Sequence, residues 1–158
     1  MGYESYRELI RPLPPAAGTD FVYRIPGEVY SSIEIVKFTL TTSAAVANRV
    51  PGITYQDGDG NDFAQIYSSN TVVASSTITT TLSDSLCSDN YTASGASKGC
   101  IPHVLLPPGF KIRLDVVGIQ AGDQISNVSI FVCRYPSGEW AESPGAVPYS
   151  PEVIGIIG

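Results

Sequence analysis

The sequence predicts an all-β fold, an antiparallel β-sandwich of about eight strands. Between residues 101 and 135, two runs that alternate apolar and polar residues are joined by the turn signals Pro107-Pro108-Gly109 and Ala121-Gly122-Asp123. Such alternation is typical of strands that bury one face. Turn signals recur at roughly 8–12-residue intervals elsewhere, which is the spacing of a sandwich or barrel. No long stretch has the 3.6-residue periodicity of an amphipathic helix.

Eight segments carry the strand pattern, and the longest is rich in Ile, Val and Thr. The predicted strands are residues 21–25, 30–42, 49–56, 63–67, 71–82, 101–106, 110–117 and 125–135. In the long strand, the candidate core positions are Ile33, Ile35, Val36, Phe38 and Leu40. Strict alternation fails between Ile35 and Phe38, which predicts a β-bulge there.

The chain divides by composition into an arm, a domain and a tail. These parts are an extended, irregular N-terminal arm (1–19), the β-sandwich (20–135) and a Pro-rich C-terminal tail (136–158). Pro12, Pro14 and Pro15 cannot enter the middle of a sheet, because proline lacks the ladder donor. The residues before them, 3–10, are compatible with a short helical turn.

Composition limits the classes of partner. Of the 158 residues, 43% are hydrophobic and only 15% are charged, against about 25% charged in an average domain. Ser, Thr, Asn and Gly, or neighbouring subunits, must therefore cover much of the surface. The net charge of −6 with nine scattered basic residues argues against nucleic-acid binding. No apolar run approaches the roughly 18 residues of a membrane span. The first residues lack a secretion signal, so we expect folding in a cytoplasm.

No residues assemble a recognisable catalytic motif, so the sequence predicts neither an enzyme nor a cofactor. His103 is the single histidine, and it is interpreted as an ordinary surface or half-buried side chain. The sequence has no Gly-rich phosphate loop. Its single G-x-S-x-G run, residues 95–99, is not followed by the helical pattern that a hydrolase elbow needs. Glu28, Glu34, Asp115 and Asp123 could serve as paired carboxylates only if the fold brought them together. Asp123, which follows a glycine, is most simply a turn cap.

One acidic segment is a candidate calcium site. Asp57, Asp59 and Asn61 alternate with glycines as calcium ligands do in the opening of a calcium loop. The twelfth position of that loop is Ser68 rather than the bidentate glutamate. Gly-Asp runs are also favoured in hairpin turns, which need positive φ. Both interpretations stay open.

The chain has three cysteines with different contexts. Cys87 and Cys100 flank a polar loop, and a disulfide between them would stabilise the fold by about 3 kcal/mol. Two reduced thiols are the alternative in a cytosolic protein. Cys133 lies in an apolar strand pattern and is interpreted as a small core residue.

Apolar residues near both termini are candidate contacts with neighbouring subunits, because an exposed apolar end needs a cover. The candidates are Tyr3, Tyr6, Leu9, Ile10, Leu13, Val153, Ile154, Ile156 and Ile157.

Aromatic residues suggest a different hypothesis, a glycan-binding face. The candidate residues are Tyr55, Tyr67, Tyr91, Tyr135 and Trp140. Tyrosines in β-rich chains more often belong to strand surfaces and interfaces.

The sequence resembles the small accessory virion proteins of tailed bacteriophages. The resemblance covers residues 20–135 and rests on FVYRIPGEVYSSIEIVKFTLTTSAAVANRVPGITYQDGDGN and LLPPGFKIRLDVVGIQAGDQISNVSIFVCRYP. Proteins of that kind resemble one another in an opening strand that ends in Pro-Gly and in a long Thr-rich strand followed by Ala-Asn-Arg. Near their ends they have Leu-Pro-Pro-Gly and then Gly-Asp-Gln. The resemblance implies a jelly-roll-like sandwich and a structural role in the virion, and it implies no catalytic residues. The loop between Cys87 and Cys100 and the C-terminal tail depart from the pattern.

We therefore expect a capsid decoration or cement protein, assembled in the host cytoplasm and located in the virion. Its expected partners are the major capsid protein or other virion proteins and further copies of itself, most simply in a trimer. The alternatives are a neck, collar or tail-associated virion protein and a glycan-binding β-sandwich module. Deletion of residues 1–15 is expected to weaken capsid binding without unfolding the sandwich.

Overall fold

A computed structural model describes residues 4–68, 71–84 and 95–136. These residues form strands, turns and loops, and none of them forms a helix long and apolar enough to cross a membrane. The strands are β1 (Tyr6–Ile10), β2 (Phe21–Arg24), β3 (Val29–Thr41), β4 (Val50–Gln56), β5 (Asp62–Tyr67), β6 (Thr77–Ser83), β7 (Ala96–Cys100), β8 (Leu105–Leu106), β9 (Lys111–Val117) and β10 (Gln124–Pro136). The predicted all-β class is confirmed.

The strands form two sheets. Sheet A has the order β1-β10-β3-β6-β7, with β8 also paired to β3, and sheet B has the order β2-β9-β4-β5. When β7 and β8 are set aside, the remaining eight strands can be renumbered 1 to 8 along the chain. Their order is then 1-8-3-6 in sheet A and 2-7-4-5 in sheet B. This is the strand order of a jelly roll, an architecture that viral capsid domains, lectins and cupins share. The strand order therefore confirms the jelly-roll-like sandwich.

One pairing corrects the expected antiparallel pattern. β7 runs parallel to β6, with Thr79 opposite Ala96 and Ser83 opposite Cys100. Parallel neighbours need a crossover connection rather than a tight turn, and the connection here passes through residues 85–94, which lie outside the described part. Of the predicted strand 101–106, only Leu105–Leu106 is paired.

The core lies between the two sheets, and the register of β3 determines which of the β3 side chains enter the core. Ile33, Val36, Phe38 and Leu40 are buried, but Ile35 is 39% exposed, which corrects its prediction as a core residue. The reason is a bulge at Glu34, because Ile33 pairs with Val132 while Ile35 pairs with Phe131, the preceding residue of β10. The sequence predicts a bulge between Ile35 and Phe38, whereas the structure has it just before that interval, at Glu34.

The N-terminal segment is not wholly irregular, and the short helical turn is also wrong. Tyr6–Ile10 is β1, which pairs antiparallel with β10 from Tyr6 opposite Arg134 to Ile10 opposite Ile130. Pro12 is the first proline of the chain, so nothing before it prevents a ladder. Because β1 is the first strand of the jelly roll, deleting residues 1–15 would remove part of sheet A. Point substitutions are the cleaner test of this segment. Residues 137–158 of the predicted tail lie outside the described part.

The jelly-roll connectivity collects alternate loops at the same end of the sandwich. The end that we call the Arg49 end contains loops 11–20, 42–49, 71–76 and 118–123. Backbone hydrogen bonds tie these loops together, from Gly18 N to Asp123 O at 2.7 Å and from Ser75 N to Ser43 O at 2.8 Å. The loops are therefore held to one another as well as to their own strands.

Candidate interaction surface

The candidate interface residues that the structure describes cluster on and after β1. Tyr6 and Leu9 are 48% and 47% exposed, and Leu13 is 87% exposed. Ile10 is half-buried and packs against the core. The other candidates, Tyr3, Val153, Ile154, Ile156 and Ile157, lie outside the described residues.

Leu9 belongs to an apolar strip that crosses three strands of sheet A. In the register, Leu9 stands opposite Phe131 of β10, and Phe131 stands opposite Ile35 of β3. Directly opposite residues in a sheet point to the same face, here the outer face. Leu9 and Ile35 are exposed, and Phe131 is half-buried. These three residues, which we call the Leu9 strip, form an apolar surface beside the outer edge of β1, which pairs with no other strand among the described residues.

Two ion pairs attach β1 to the sheet, one on each face. On the outer face, Arg7 Nε donates to both carboxylate oxygens of Glu34 at 3.1 and 3.2 Å. On the inner face, Glu8 accepts a hydrogen bond from Arg134. Arg7 and Glu8 reach opposite faces because adjacent residues of a strand alternate in direction.

Arg134 also joins the two sheets. It is 5% exposed, and it donates to the hydroxyl of Tyr23 in β2 at 2.8 Å and to Ser31 Oγ at 3.4 Å. Burial alone would lower the pKa of Arg134, but its hydrogen bonds with Tyr23 and Glu8 outweigh burial and raise the pKa. The guanidinium therefore stays charged and links β1, β2 and β3.

A second polar network lies on the outer face of sheet B around Asp115. Its Oδ2 accepts hydrogen bonds from Thr54 Oγ1 and the Tyr67 hydroxyl, each at 2.9 Å, and from Arg113 Nη2 at 3.3 Å. Its Oδ1 and the Nε of Arg113 are buried without a hydrogen-bond partner. Gly52 makes room for the Tyr67 ring, since an added Cβ would lie 2.3 Å from Tyr67 Cδ1.

The Arg49 end contains a fully buried ion pair that sequence reasoning missed. Arg49 and Asp123 both have 0% exposure. Arg49 Nε donates to Asp123 Oδ2 at 2.9 Å, and Nη2 donates to Oδ1 at 3.0 Å. Asp123 also caps the turn as predicted, because Gln120 N donates to its Oδ2 at 2.8 Å. Burial opposes ionisation, but the donors Arg49, Ser43 and Gln120 outweigh burial and hold the pKa of Asp123 far below its usual range. A signal was available in the sequence, since Arg49 is a lone charge in a largely apolar segment.

The candidate calcium ligands form a self-capped turn. Asp57 Oδ1 accepts hydrogen bonds from the backbone N of Asp59 and Asn61, and Oδ2 accepts from Asn61 Nδ2, all at 2.9 Å. The side-chain bond from Asn61 is the largest contribution that lowers the pKa of Asp57. Among the described residues, no group of three or more His, Cys, Asp or Glu side chains converges as a metal site.

The structure does not bring the candidate carboxylates together. Glu34 pairs with Arg7 on the outer face of sheet A, whereas Asp115 lies on the outer face of sheet B. Asp123 is sealed at the Arg49 end. His103 is exposed, and its Nδ1 lies 3.0 Å from Asp84 Oδ2.

The tyrosines proposed for a glycan-binding face are also dispersed. Tyr55 is 1% exposed and belongs to the core, which removes it from any binding face. Its burial raises the pKa of its hydroxyl. Tyr67 packs over Gly52 in sheet B, while Tyr135 lies in β10 of sheet A. Tyr91 and Trp140 lie outside the described residues.

The described cysteines differ in state. Cys100 is disulfide-bonded, and Cys133 is a buried free thiol. Cys87 lies outside the described residues, so the Cys87–Cys100 pairing stays a prediction. Cys133 stands opposite Arg7 of β1 on one side and Ser32 of β3 on the other.

Comparisons with known proteins give distant structural matches. No protein-family model matches the chain, and no curated protein matches it. The chain is similar to the structure of infectious bursal disease virus Gx strain (19% identity, 91% of this chain and 33% of that chain, TM-score 0.35). It is also similar to the Gt strain structure (15% identity, 90% and 33%, TM-score 0.37) and to the VP2 subviral particle of that virus (16% identity, 92% and 35%, TM-score 0.32). The chain thus spans about a third of the length of these structures. The assignment of the fold depends on the strand order described above.

Proposed function

We propose that this protein is a virion structural protein, a capsid decoration or cement protein that binds the major capsid protein as a homo-oligomer, most simply a trimer. The observation that carries the proposal is the Leu9 strip on the outer face of sheet A. The sequence resemblance to accessory virion proteins of tailed phages supports the same class of function. A jelly roll alone does not specify function, because the fold has many.

The Leu9 strip places apolar area beside the outer edge of β1. In the described part of the chain, β1 pairs on one side only, with β10. Free edges invite pairing with another chain, and exposed apolar patches mark interaction sites. Full burial of a side chain such as Leu or Ile contributes about 1.5–3 kcal/mol. Contacts of this kind, repeated by symmetry, would hold neighbouring capsid subunits together.

Substitution of the strip tests the proposal directly. We expect Leu9→Ser and Ile35→Ser each to weaken capsid binding by about ten-fold or more, since each 1.4 kcal/mol corresponds to about ten-fold in affinity. Val22→Ser is the matched control, because Val22 is 51% exposed on an edge strand of the other sheet. Binding would be measured by sedimentation with capsids that lack the protein, and folding by thermal unfolding. Equal losses for all three variants would remove the strip from the interface.

Copy number in purified virions distinguishes the head from other locations. Quantitative mass spectrometry that finds a fixed stoichiometric ratio to the major capsid protein would support decoration of the head. A single closed ring of a few copies would place the protein at the neck, collar or tail. Absence from virions would overturn the proposal and bring the glycan-binding alternative forward.

A further inference from the structure

We infer that β1 is an exchangeable strand, and that β1 of one copy occupies the edge of β10 in a neighbouring copy of the same chain. This inference rests on the proposed homo-oligomer and adds the element that links its subunits. Strand exchange is a low-cost route to oligomers, because the exchanged strand makes the same contacts in its new place.

In the described part of the chain, β1 is an edge strand of sheet A. Among the described strands its only partner is β10, through five residue pairs from Tyr6 to Ile10. Four of its five residues are exposed, and only Ile10 packs against the core. Its transfer to another copy would therefore disturb little of its own domain's core.

β1 lies along the outer edge of β10, a position that we call the seat, and the seat is charged on both faces. The seat presents Arg134 on the inner face and Glu34 on the outer face. If β1 departed, the buried Arg134 would lose its carboxylate partner, which is costly for a buried charge. A strand in which a basic residue is followed directly by an acidic one therefore complements the seat on both faces. Arg7-Glu8 is the only such pair in the sequence, so a second copy's β1 is the complementary occupant.

The segment that follows β1, residues 11–14, is loosely attached to the domain. Among the described residues, no hydrogen bond joins residues 11–14 to the rest of the chain. The first such bond comes at Pro15, whose carbonyl accepts from Gln124 Nε2 at 2.9 Å. Pro12 and Pro14 favour an extended backbone, and four extended residues span roughly 13 Å. This reach allows β1 to leave its own domain.

An exposed apolar side chain in the connecting segment would be covered in an oligomer. The contacts within the seat are the same for a copy's own β1 and for an exchanged one, so contacts at the junction decide the balance. Leu13 in the connecting segment is 87% exposed. Its burial between two copies would favour the exchanged form.

A cross-link between differently tagged copies tests the exchange. Arg7 stands directly opposite Cys133, and opposed positions of antiparallel strands have Cα distances that suit a disulfide. The double variant Arg7→Cys/Cys133→Ser would be co-expressed with the chain that retains Cys133, each with a tag of different size. A disulfide between residues 7 and 133 can then form only between copies. The matched control replaces the second chain with its Cys133→Ser variant.

We expect a mixed-tag disulfide dimer on non-reducing electrophoresis, lost in the control. We also expect Leu13→Ser to lower the exchange equilibrium about ten-fold. The single variant Arg7→Cys retains Cys133, so it can form the disulfide within one chain as well as between copies. If its disulfide forms only within one chain and no mixed-tag dimer appears, β1 remains on its own domain and the inference is wrong. If neither disulfide forms, β1 does not occupy the seat in any copy, which also overturns the inference.

The outcomes for exchange and for the proposed function are separable. Light scattering of the same sample gives the oligomeric mass without regard to cross-links. An oligomer without mixed-tag dimers would remove the exchange and leave the homo-oligomer intact. Copy number in virions tests the decoration role independently of both.

Discussion

Asp123 and Asp115 are both buried carboxylates beside an arginine, but their hydrogen bonding differs. Asp123 accepts five hydrogen bonds, two from Arg49, two from Ser43 and one from Gln120. Asp115 accepts three, all at Oδ2, and its Oδ1 has no hydrogen-bond partner among the described residues.

The difference follows from where each carboxylate lies in the fold. Asp115 belongs to β9, an inner strand of sheet B whose neighbours use their backbone groups in the ladder, so only side chains can reach it. Asp123 lies in a loop at the Arg49 end, where backbone N–H groups of Ser43 and Gln120 are free to donate. Loops at the end of a jelly roll can therefore supply backbone donors to both oxygens of a buried carboxylate. A sheet face offers side-chain donors only and leaves one oxygen of Asp115 without a hydrogen bond.

The largest expected effect is that of Asp123→Ala. The substitution leaves the Arg49 charge buried without a counterion and removes the acceptor of two backbone N–H groups. Such a loss costs about 3–5 kcal/mol, which lowers the melting temperature by roughly 6–20 °C for a chain of this size. Thermal unfolding followed by circular dichroism measures it. Asp59→Ala, in the exposed turn, is the control and should change stability by less than about 0.5 kcal/mol. A loss no larger than that of the control would show that the pair does not stabilise the loops.

The pH dependence of stability sharpens the same comparison. The pKa of Asp123 is depressed in the folded state, so its contribution is complete above the unfolded value of about 3.9. The contribution is lost as pH falls below that value toward the folded pKa. We expect the parent protein to lose stability steeply between about pH 4 and pH 2, and Asp123→Asn to lose less over that range. Urea unfolding at each pH measures the slope. Parallel curves would contradict the assignment of acid sensitivity to Asp123.

Local patterns predicted most of the fold, because the core strands carry apolar alternation and flanking turn signals. β1 was not predicted as a strand, because its five residues are mostly exposed and precede a proline-rich segment. The sequence pattern places Ile35 in the core because it does not locate the bulge at Glu34, which is defined by pairing with β10.

The candidate site was only partly predictable for a related reason. The sequence predicts Leu9 as a contact residue because it is apolar and near a terminus, but Phe131 and Ile35 join it only through the register of three strands. The Arg49–Asp123 pair likewise spans 74 positions. Contacts between residues so far apart in the sequence depend on which strands become neighbours, and residue spacing does not predict the strand order.

Gly52→Ala is expected to have the next largest effect. An added Cβ would lie 2.3 Å from Tyr67 Cδ1 and 2.6 Å from the backbone oxygen of Ile66. The Tyr67 ring must move away, and β4 and β5 must shift, which costs about 1–3 kcal/mol. Gly27→Ala is the matched control, since an added Cβ there meets nothing within 4 Å. Chemical unfolding measures both variants, and equal stability would mean that Tyr67 does not pack over Gly52.

Tyr67→Phe should have the smallest effect and isolates one bond of the Asp115 network. It removes a 2.9 Å hydrogen bond to Asp115 Oδ2 and retains the ring over Gly52. The expected cost is about 1 kcal/mol, because Thr54 and Arg113 still donate to the same oxygen. Tyr6→Phe, in a half-exposed side chain, serves as the control in the same urea unfolding series. A cost near that of Asp123→Ala would mean that Asp115 depends on Tyr67 as strongly as Asp123 depends on Arg49, and the contrast between the loop end and the sheet face would fail.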